Sequence, residues 1–546
     1  MPDPVPDLDA AAAVVDLAGD ALRRATLALA AAGAGALDDH QVLAYDLAHA
    51  SAGVEAARAM LAYGTGGEVE AAMACAFVAE AVADLWGRML GREELWGAEP
   101  GALDPALGFL ARYRAPGFLA GLVGEEGPRH LEEDFELVAE TFRRFAEERI
   151  APRAEHVHRA NADVPEDIIA GLAEMGAFGL SIPEAYGGFA TGGEHDYMGM
   201  VVATEELSRA SLGAGGSLVT RPEILARALL EGGTEDQRRR LLPQLASGQV
   251  MAAVAVTEPD FGSDVAAITT AATPAEGMAG AGSGWAIRGT KTWCTFAGRA
   301  DLLMLLARTD PDRSLAHKGL SLFVVTKPRA EGHGFSFTQA PGDGGGAPGG
   351  GRMDGRAIDT LGYRGMHSYE VAFEDWWVPT DDLIGGKEGL GRGFYYQMEG
   401  FGNGRLQTAA RAVGLMQAAY EAAVGYASER VVFGRAVAGY QLNQVKLARM
   451  AVTIQACRQL TYRVARLMAK GEGALAASMV KAYACRAAEW VTREAMQVHG
   501  GMGYAEEYPV SRYFADARVL SIFEGADETL ALKVIARGLV GATTKG

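Results

Sequence analysis

The hydrophobic period of this chain changes twice, and those two changes restrict the folds open to it. Through the first 250 residues apolar positions keep helical spacing; Leu43, Leu47, Ala50, Val54, Ala57 and Leu61 step by four and three and make one stripe. From Met251 the spacing shortens. The runs MAAVAV, WAIRGTKTWCTF, LLMLLA, LSLFVV and YEVAFEDWWVP read as strands. Trp285, Ile287, Lys291, Trp293 and Thr295 share one parity, so Trp293 and Thr295 are expected on one face of their strand. From about residue 395 helical spacing returns. Leu447, Met450, Ile454, Cys457, Thr461, Val464 and Met468 form the seam of a long bundle helix, which makes Cys457 core rather than nucleophile. The order is helices, a β domain, then a helical bundle, and 546 residues are too many for one core.

Composition removes several function classes. A formal net charge of −19 argues against nucleic acid held by a basic field, so an anionic ligand would need locally placed Arg, Lys or helix N-termini. Cys75, Cys294, Cys457 and Cys485 lack CxxC spacing, and His156 and His158 face apart on a helix; no metal site is expected. MPDPVPDLDA is acidic and Pro-rich, unlike a signal or transit peptide, and no run of about 18 apolar residues predicts a membrane span. A cytoplasmic protein is expected. PGDGGGAPGGG (341–351) reads as a flexible loop, and GLGRGF (389–394) precedes a helix instead of following a strand, unlike a dinucleotide fingerprint.

One short stretch suggests chemistry. In SIFEGADETL (521–530) a carboxylate, Glu524, ends an apolar run and is followed by Gly525. A general base would suit that setting, because glycine lets a ligand approach the backbone. A helix-start glutamate would suit it as well.

Four further motifs accompany it in order: AVTEPDFGSDVA (255–266), GTKTWCTFAG (289–298), SERVVFGRAVAGYQ (428–441) and QVHGGMGYAEEYPV (497–510). Together they resemble the acyl-CoA dehydrogenase family over about residues 126–546. The resemblance implies an α+β fold, acyl-CoA dehydrogenase-like: an α-helical domain lining the acyl pocket (126–250), a middle β-barrel or sandwich domain contacting flavin (251–379), and a C-terminal four-helix bundle carrying the base (380–546). An extra helical extension (1–125) precedes them, with packing or assembly as its expected role. The implied cofactor is FAD. Val256, Thr257 and Ser263 would lie along it, Ser263 also touching the pantetheine side, with Trp293 against the ring system and Thr295 at N5. Arg430, Phe433, Gln441, Gln497 and Gly501 would hold the dinucleotide part of a neighbouring subunit's FAD, which implies a homodimer or homotetramer.

The spacing from Gln497 to Glu524 matches relatives whose base sits in this last segment. Other relatives carry a glutamate just before an arginine of an earlier helix; here Arg405 follows Gly404, which cannot take a proton. The resemblance therefore makes Glu524 the base. It takes the α-proton of an acyl-CoA thioester while the β-hydride goes to flavin N5, with Gly525 leaving room for the thioester and electron-transferring flavoprotein as acceptor. Arg405 and Arg221 fall on the substrate side. Arg221, in SLVTRPEIL, would suit a second carboxylate on the acyl group, or be a surface arginine; a short branched dicarboxylic acyl-CoA is the expected substrate. Glutaryl-, isobutyryl- and butyryl-CoA are alternatives, as are an acyl-CoA oxidase and a non-catalytic flavoprotein on the same fold. Ala526 and Glu528 replace the usual Thr and Gln at flavin contacts, Val432 stands where some relatives have Thr, and Gly402 replaces an Asp.

Overall fold

The computed structural model describes residues 5–33, 35–276, 282–339 and 351–543. Most of the glycine-rich run read as a flexible loop, 341–350, lies outside them. The chain forms two compact units.

The first unit combines Met1–Thr141, Val201–Arg209 and Arg405–Gly546, so the extension shares a unit with the C-terminal helices. The extension contributes helices Leu8–Ala31, Gln41–Gly64 and Glu68–Met89. Asp7 starts the first of these, its carboxylate accepting from the Ala10 N–H at 2.9 Å. Helix Gln41–Gly64 buries Leu43, Leu47, Ala50, Val54 and Ala57 of the expected stripe, with Leu61 half-buried. It also buries Ala44, Ala48, Ala52 and Ala56, so the helix is apolar nearly all round and lies enclosed. Ala48 and Ala52 pack on Met479 and Ala482 of helix Ala474–Val498 and on Ala531 and Ile535 near the C-terminus. The seam of helix Gln441–Ala469 is buried from Leu447 to Val464, Cys457 included, and Met468 is half-buried. A two-residue hairpin, Val431–Val432 against Arg435–Ala436, interrupts the helical run that the spacing predicts after residue 395.

The second unit holds Phe142–Met200 and Ala210–Gly404. Helix Glu235–Ala246 opens with a reciprocal cap: Thr234 Oγ1 accepts from Gln237 N–H, and Gln237 Oε1 accepts from Thr234 N–H. Eight strands form one sheet among the described residues: β1 Ala252–Ala255, β2 Ala271–Glu276, β3 Ser283–Thr295, β4 Leu302–Arg308, β5 Leu320–Thr326, β6 Gly334–Thr338, β7 Arg352–Ile358 and β8 Ser368–Pro379. Their order is β1-β4-β2-β3-β8-β7-β6, with β5 pairing β4. Strand β4 is buried at every residue, which explains why its sequence is a continuous apolar run without alternation.

The expected parity of β3 fails. Its pairing with β8 shifts register between Ile287 and Gly289 and again between Lys291 and Cys294. At the second bulge Trp293 takes φ +56°, Lys291 is fully buried and the indole is 55% exposed. Two-residue alternation across Lys291, Trp293 and Thr295 is therefore broken, because a bulge re-aims the side chains on either side of it.

Candidate active site

In the first unit, Glu524 sits on the turn between helix Pro509–Leu520 and the short helix Asp527–Thr529. The turn is tight: Glu524 has φ +57° and Gly525 φ +103°. A methyl group at Gly525 would meet Leu530 Cδ2 at 2.9 Å, so both the backbone angle and the packing require glycine there. The Glu524 side chain is only 6% exposed and faces Arg411, which is fully buried, with Oε1 and Nη2 3.2 Å apart. Arg411 also donates to Thr408 Oγ1 at 2.6 Å, and its guanidinium lies 4.8 Å from the centroid of the Phe523 ring.

Two more cations stand around this turn. Lys481, fully buried, donates to the Gly525 carbonyl at 2.6 Å. Burial pushes its ammonium below the ordinary lysine range, against the charges of Glu524 and Asp527. Arg405 donates to Ser478 Oγ at 3.2 Å; burial lowers its pKa and the Glu524 charge opposes that. An open cleft of about 310 Å³ runs beside the turn, lined by Tyr45, Arg486, Arg518, Ile522, Ala526 and Glu528 among others.

In the second unit the two strand motifs are tied together. Lys291 donates to the Val256 carbonyl and to Glu258 Oε1, both at 2.9 Å, and Thr292 N–H donates to the Thr257 carbonyl at 2.8 Å. Glu258 also accepts from the N–H groups of Thr269 and Thr270. Burial would raise this carboxyl, but Lys291 and those donors outweigh it and hold the pKa at about 2. Val256 is buried, Thr257 half-buried and Ser263 exposed; Thr295 Oγ1 lies 3.0 Å from Ser368 Oγ. Arg221 is no surface arginine. It is buried on helix Thr220–Gly232, with Nε toward the Ser217 carbonyl and Nη2 donating to Thr220 Oγ1.

The remaining expected contacts lie in the first unit and face solvent. Arg430, Gln441, Gln497 and Gly501 are exposed, and Phe433 is 99% exposed at the tip of the hairpin. A side chain at Gly501 would meet nothing of this chain within 4 Å, so internal packing does not demand the glycine.

Residues 132–249, 253–376 and 391–540 match, in turn, the N-terminal, middle and C-terminal domains of acyl-CoA dehydrogenase. The chain belongs to the acyl-CoA dehydrogenase family. Among its relatives is the (2S)-methylsuccinyl-CoA dehydrogenase of Cereibacter sphaeroides, 43% identical over 416 residues, which are 76% of this chain and 71% of that protein. The mitochondrial short-chain specific acyl-CoA dehydrogenase of Homo sapiens is 32% identical over 74% of this chain and 90% of its own. A glutaryl-coenzyme A dehydrogenase solved with glutaryl-CoA superposes with TM-score 0.66 at 29% identity, over 76% of this chain and 96% of that one. Butyryl-CoA dehydrogenase from Megasphaera elsdenii gives TM-score 0.66 at 29% identity, over 75% and 99%.

This acyl-CoA dehydrogenase is an FAD-dependent oxidoreductase acting on CH–CH bonds. Its residues fit that cofactor. The exposed indole of Trp293 is of a kind that would give a flavin a flat apolar wall, and the exposed Arg430 has a guanidinium fork that would suit phosphate. The buried cations Arg411 and Lys481 lie outside the five motifs, whereas Glu258 lies inside AVTEPDFGSDVA, where spacing alone gave it no role. Both cations were visible as charges among apolar neighbours on helices: Arg411 in TAARAVG, Lys481 four residues from both Ala477 and Cys485.

Proposed function

We propose that this acyl-CoA dehydrogenase oxidises (2S)-methylsuccinyl-CoA to mesaconyl-CoA, with Glu524 as the base. The observation that carries the base is the Glu524 carboxylate, drawn out of solvent and aimed by Arg411 on a turn that Lys481 fixes through the Gly525 carbonyl. A carboxylate held this way takes the acidified α-proton of a thioester without first reorganising. FAD, when bound, supplies the acceptor for the β-hydride. Trp293 and Thr295, with Val256 and Thr257, serve its ring side, and Ser263 serves a phosphate or pantetheine group. Arg430, Phe433, Gln441, Gln497 and Gly501 serve the dinucleotide of another subunit. The exposure of Phe433 and Gly501 supports that reading and with it a homodimer or homotetramer.

The substrate rests on two supports. The Cereibacter sphaeroides relative carries that activity in its name, and Arg221 is a buried cation on a segment where a plain fatty acyl chain needs none. Arg405 serves the substrate side as well. Electron-transferring flavoprotein is the proposed acceptor. A chain solved in work on the electron transferring flavoprotein of Acidaminococcus fermentans superposes with TM-score 0.65 at 31% identity, over 76% of this chain and 99% of that one.

The test is a panel of methylsuccinyl-, glutaryl-, isobutyryl- and butyryl-CoA assayed with wild type, Glu524→Gln and Arg221→Ala. Methylsuccinyl-CoA should give the highest kcat/KM, Glu524→Gln should lose turnover while still binding, and Arg221→Ala should lose selectivity for the dicarboxylic substrates. An Arg221→Ala profile identical to wild type would remove the carboxylate-pairing role. Rapid reoxidation of the reduced enzyme by air would make it an oxidase.

A further inference from the structure

The family's N-terminal domain match begins at residue 132, yet residues well before it reach the turn that carries Glu524. Three residues beyond Glu524, Asp527 accepts a hydrogen bond from the Tyr45 hydroxyl at 2.6 Å, and His49 Nε2 lies 3.2 Å from the same carboxylate oxygen. Tyr45 and His49 stand one turn apart on helix Gln41–Gly64, their rings 4.4 Å apart and edge to face. Arg486 Nη1 donates to the Tyr45 oxygen at 3.3 Å, so that hydroxyl is fixed from both sides. Both His49 and Asp527 are buried.

A turn like this one needs holding. Two successive residues with positive φ, the first of them a glutamate, persist only where the surroundings over-determine them. Three of the contacts that fix the turn are Asp527 N–H on the Ser521 carbonyl at 3.1 Å, Lys481 on the Gly525 carbonyl, and the Asp527 carboxylate on Tyr45 and His49. The third comes from the extension. Burial would raise the Asp527 carboxyl, but His49 and Tyr45 keep it below the ordinary range, so the grip is on a carboxylate. Adhesion alone would not require these groups, since Ala48 and Ala52 on the same helix already pack against Met479, Ala482, Ala531 and Ile535. A buried ionic group adds little to adhesion that apolar residues could not supply.

We propose that the N-terminal extension sets the position of the base: Tyr45 and His49, through Asp527, are positioning residues that hold Glu524 in register for proton abstraction. This rests on the reading of Glu524 as the base.

The experiment uses the full-length holoenzyme and the best acyl-CoA of the panel above, following flavin bleaching in an anaerobic stopped-flow instrument. Tyr45→Phe with His49→Ala should slow bleaching about 10- to 100-fold, the effect of a small misplacement of a reacting group. FAD content and the half-saturating substrate concentration should stay at wild-type values, and α-deuterated substrate should show a larger isotope effect. His49→Gln, which keeps a donor, should recover more of the rate than His49→Ala. Tyr45→Phe alone removes one hydroxyl and serves where the double variant folds poorly. Wild-type bleaching per bound flavin in these variants overturns the proposal, as does a rate loss that only tracks lost FAD or a lowered Tm. Glu524→Gln separates the two readings. If it still bleaches, the base assignment fails; if it is silent while Tyr45→Phe and His49→Ala run at wild-type rate, only the positioning role fails.

Discussion

Arg411 Nη2 stands 3.2 Å from Glu524 Oε1, with 0% and 6% of the two side chains exposed. A carboxylate so far from water is tolerated because a fixed cation faces it. Removing the cation alone should therefore cost more than removing both charges. Arg411→Met is expected to destabilise the protein by about 3 kcal/mol in urea melts, and adding Glu524→Gln should recover most of it. Equal losses in the single and double variants would mean that the pair is not coupled.

Trp293 predicts the reverse balance. Its side chain is largely exposed, so little of the apo fold depends on the indole. Trp293→Ala should change apo stability by no more than about 0.5 kcal/mol. The same variant should retain less FAD after gel filtration, read from the ratio of flavin to protein absorbance. Undiminished FAD retention would take the indole off the cofactor's wall.

The Glu258–Lys291 pair should shape acid stability. The folded carboxyl titrates at about 2, below its ordinary 4.5, so it binds protons more weakly folded than unfolded. Its contribution is then complete above about pH 4.5 and is lost as pH falls toward 2, amounting to a few kcal/mol. Glu258→Gln should lower stability at neutral pH and flatten its fall between those limits, measured by chemical melts at stepped pH. A slope as steep as that of the wild type would assign the acid loss to other carboxylates.

Ala48 and Ala52 predict how closely the extension is fitted to the bundle. Both are fully buried against Met479, Ala482, Ala531 and Ile535. Ala52→Leu should overpack this contact and cost about 2 kcal/mol, with a lower Tm. Removal of residues 1–125 should expose the same apolar face and give an aggregating product on size-exclusion chromatography. A monodisperse, fully stable truncation would contradict both expectations.

Much of the molecule was legible from spacing. The shift from helical to strand period at Met251 and back near residue 395 set the order of elements, because burial of one face forces a period of 3.6 in helices and 2 in strands. The motifs around Val256, Trp293, Arg430, Gln497 and Glu524 identified the family, since each is local in the chain.

Where alternation broke, the sequence misled. Lys291, Trp293 and Thr295 keep two-residue spacing on paper, but a bulge is fixed by pairing with β8, and nothing in the strand itself records that. Only tertiary structure set Arg411 and Lys481 at the Glu524 turn, or carried Tyr45 and His49 to an aspartate 482 and 478 positions downstream. Hydrophobic period is written into neighbouring residues, whereas the partner of a buried charge is whichever group the packing of distant helices brings within hydrogen-bonding reach.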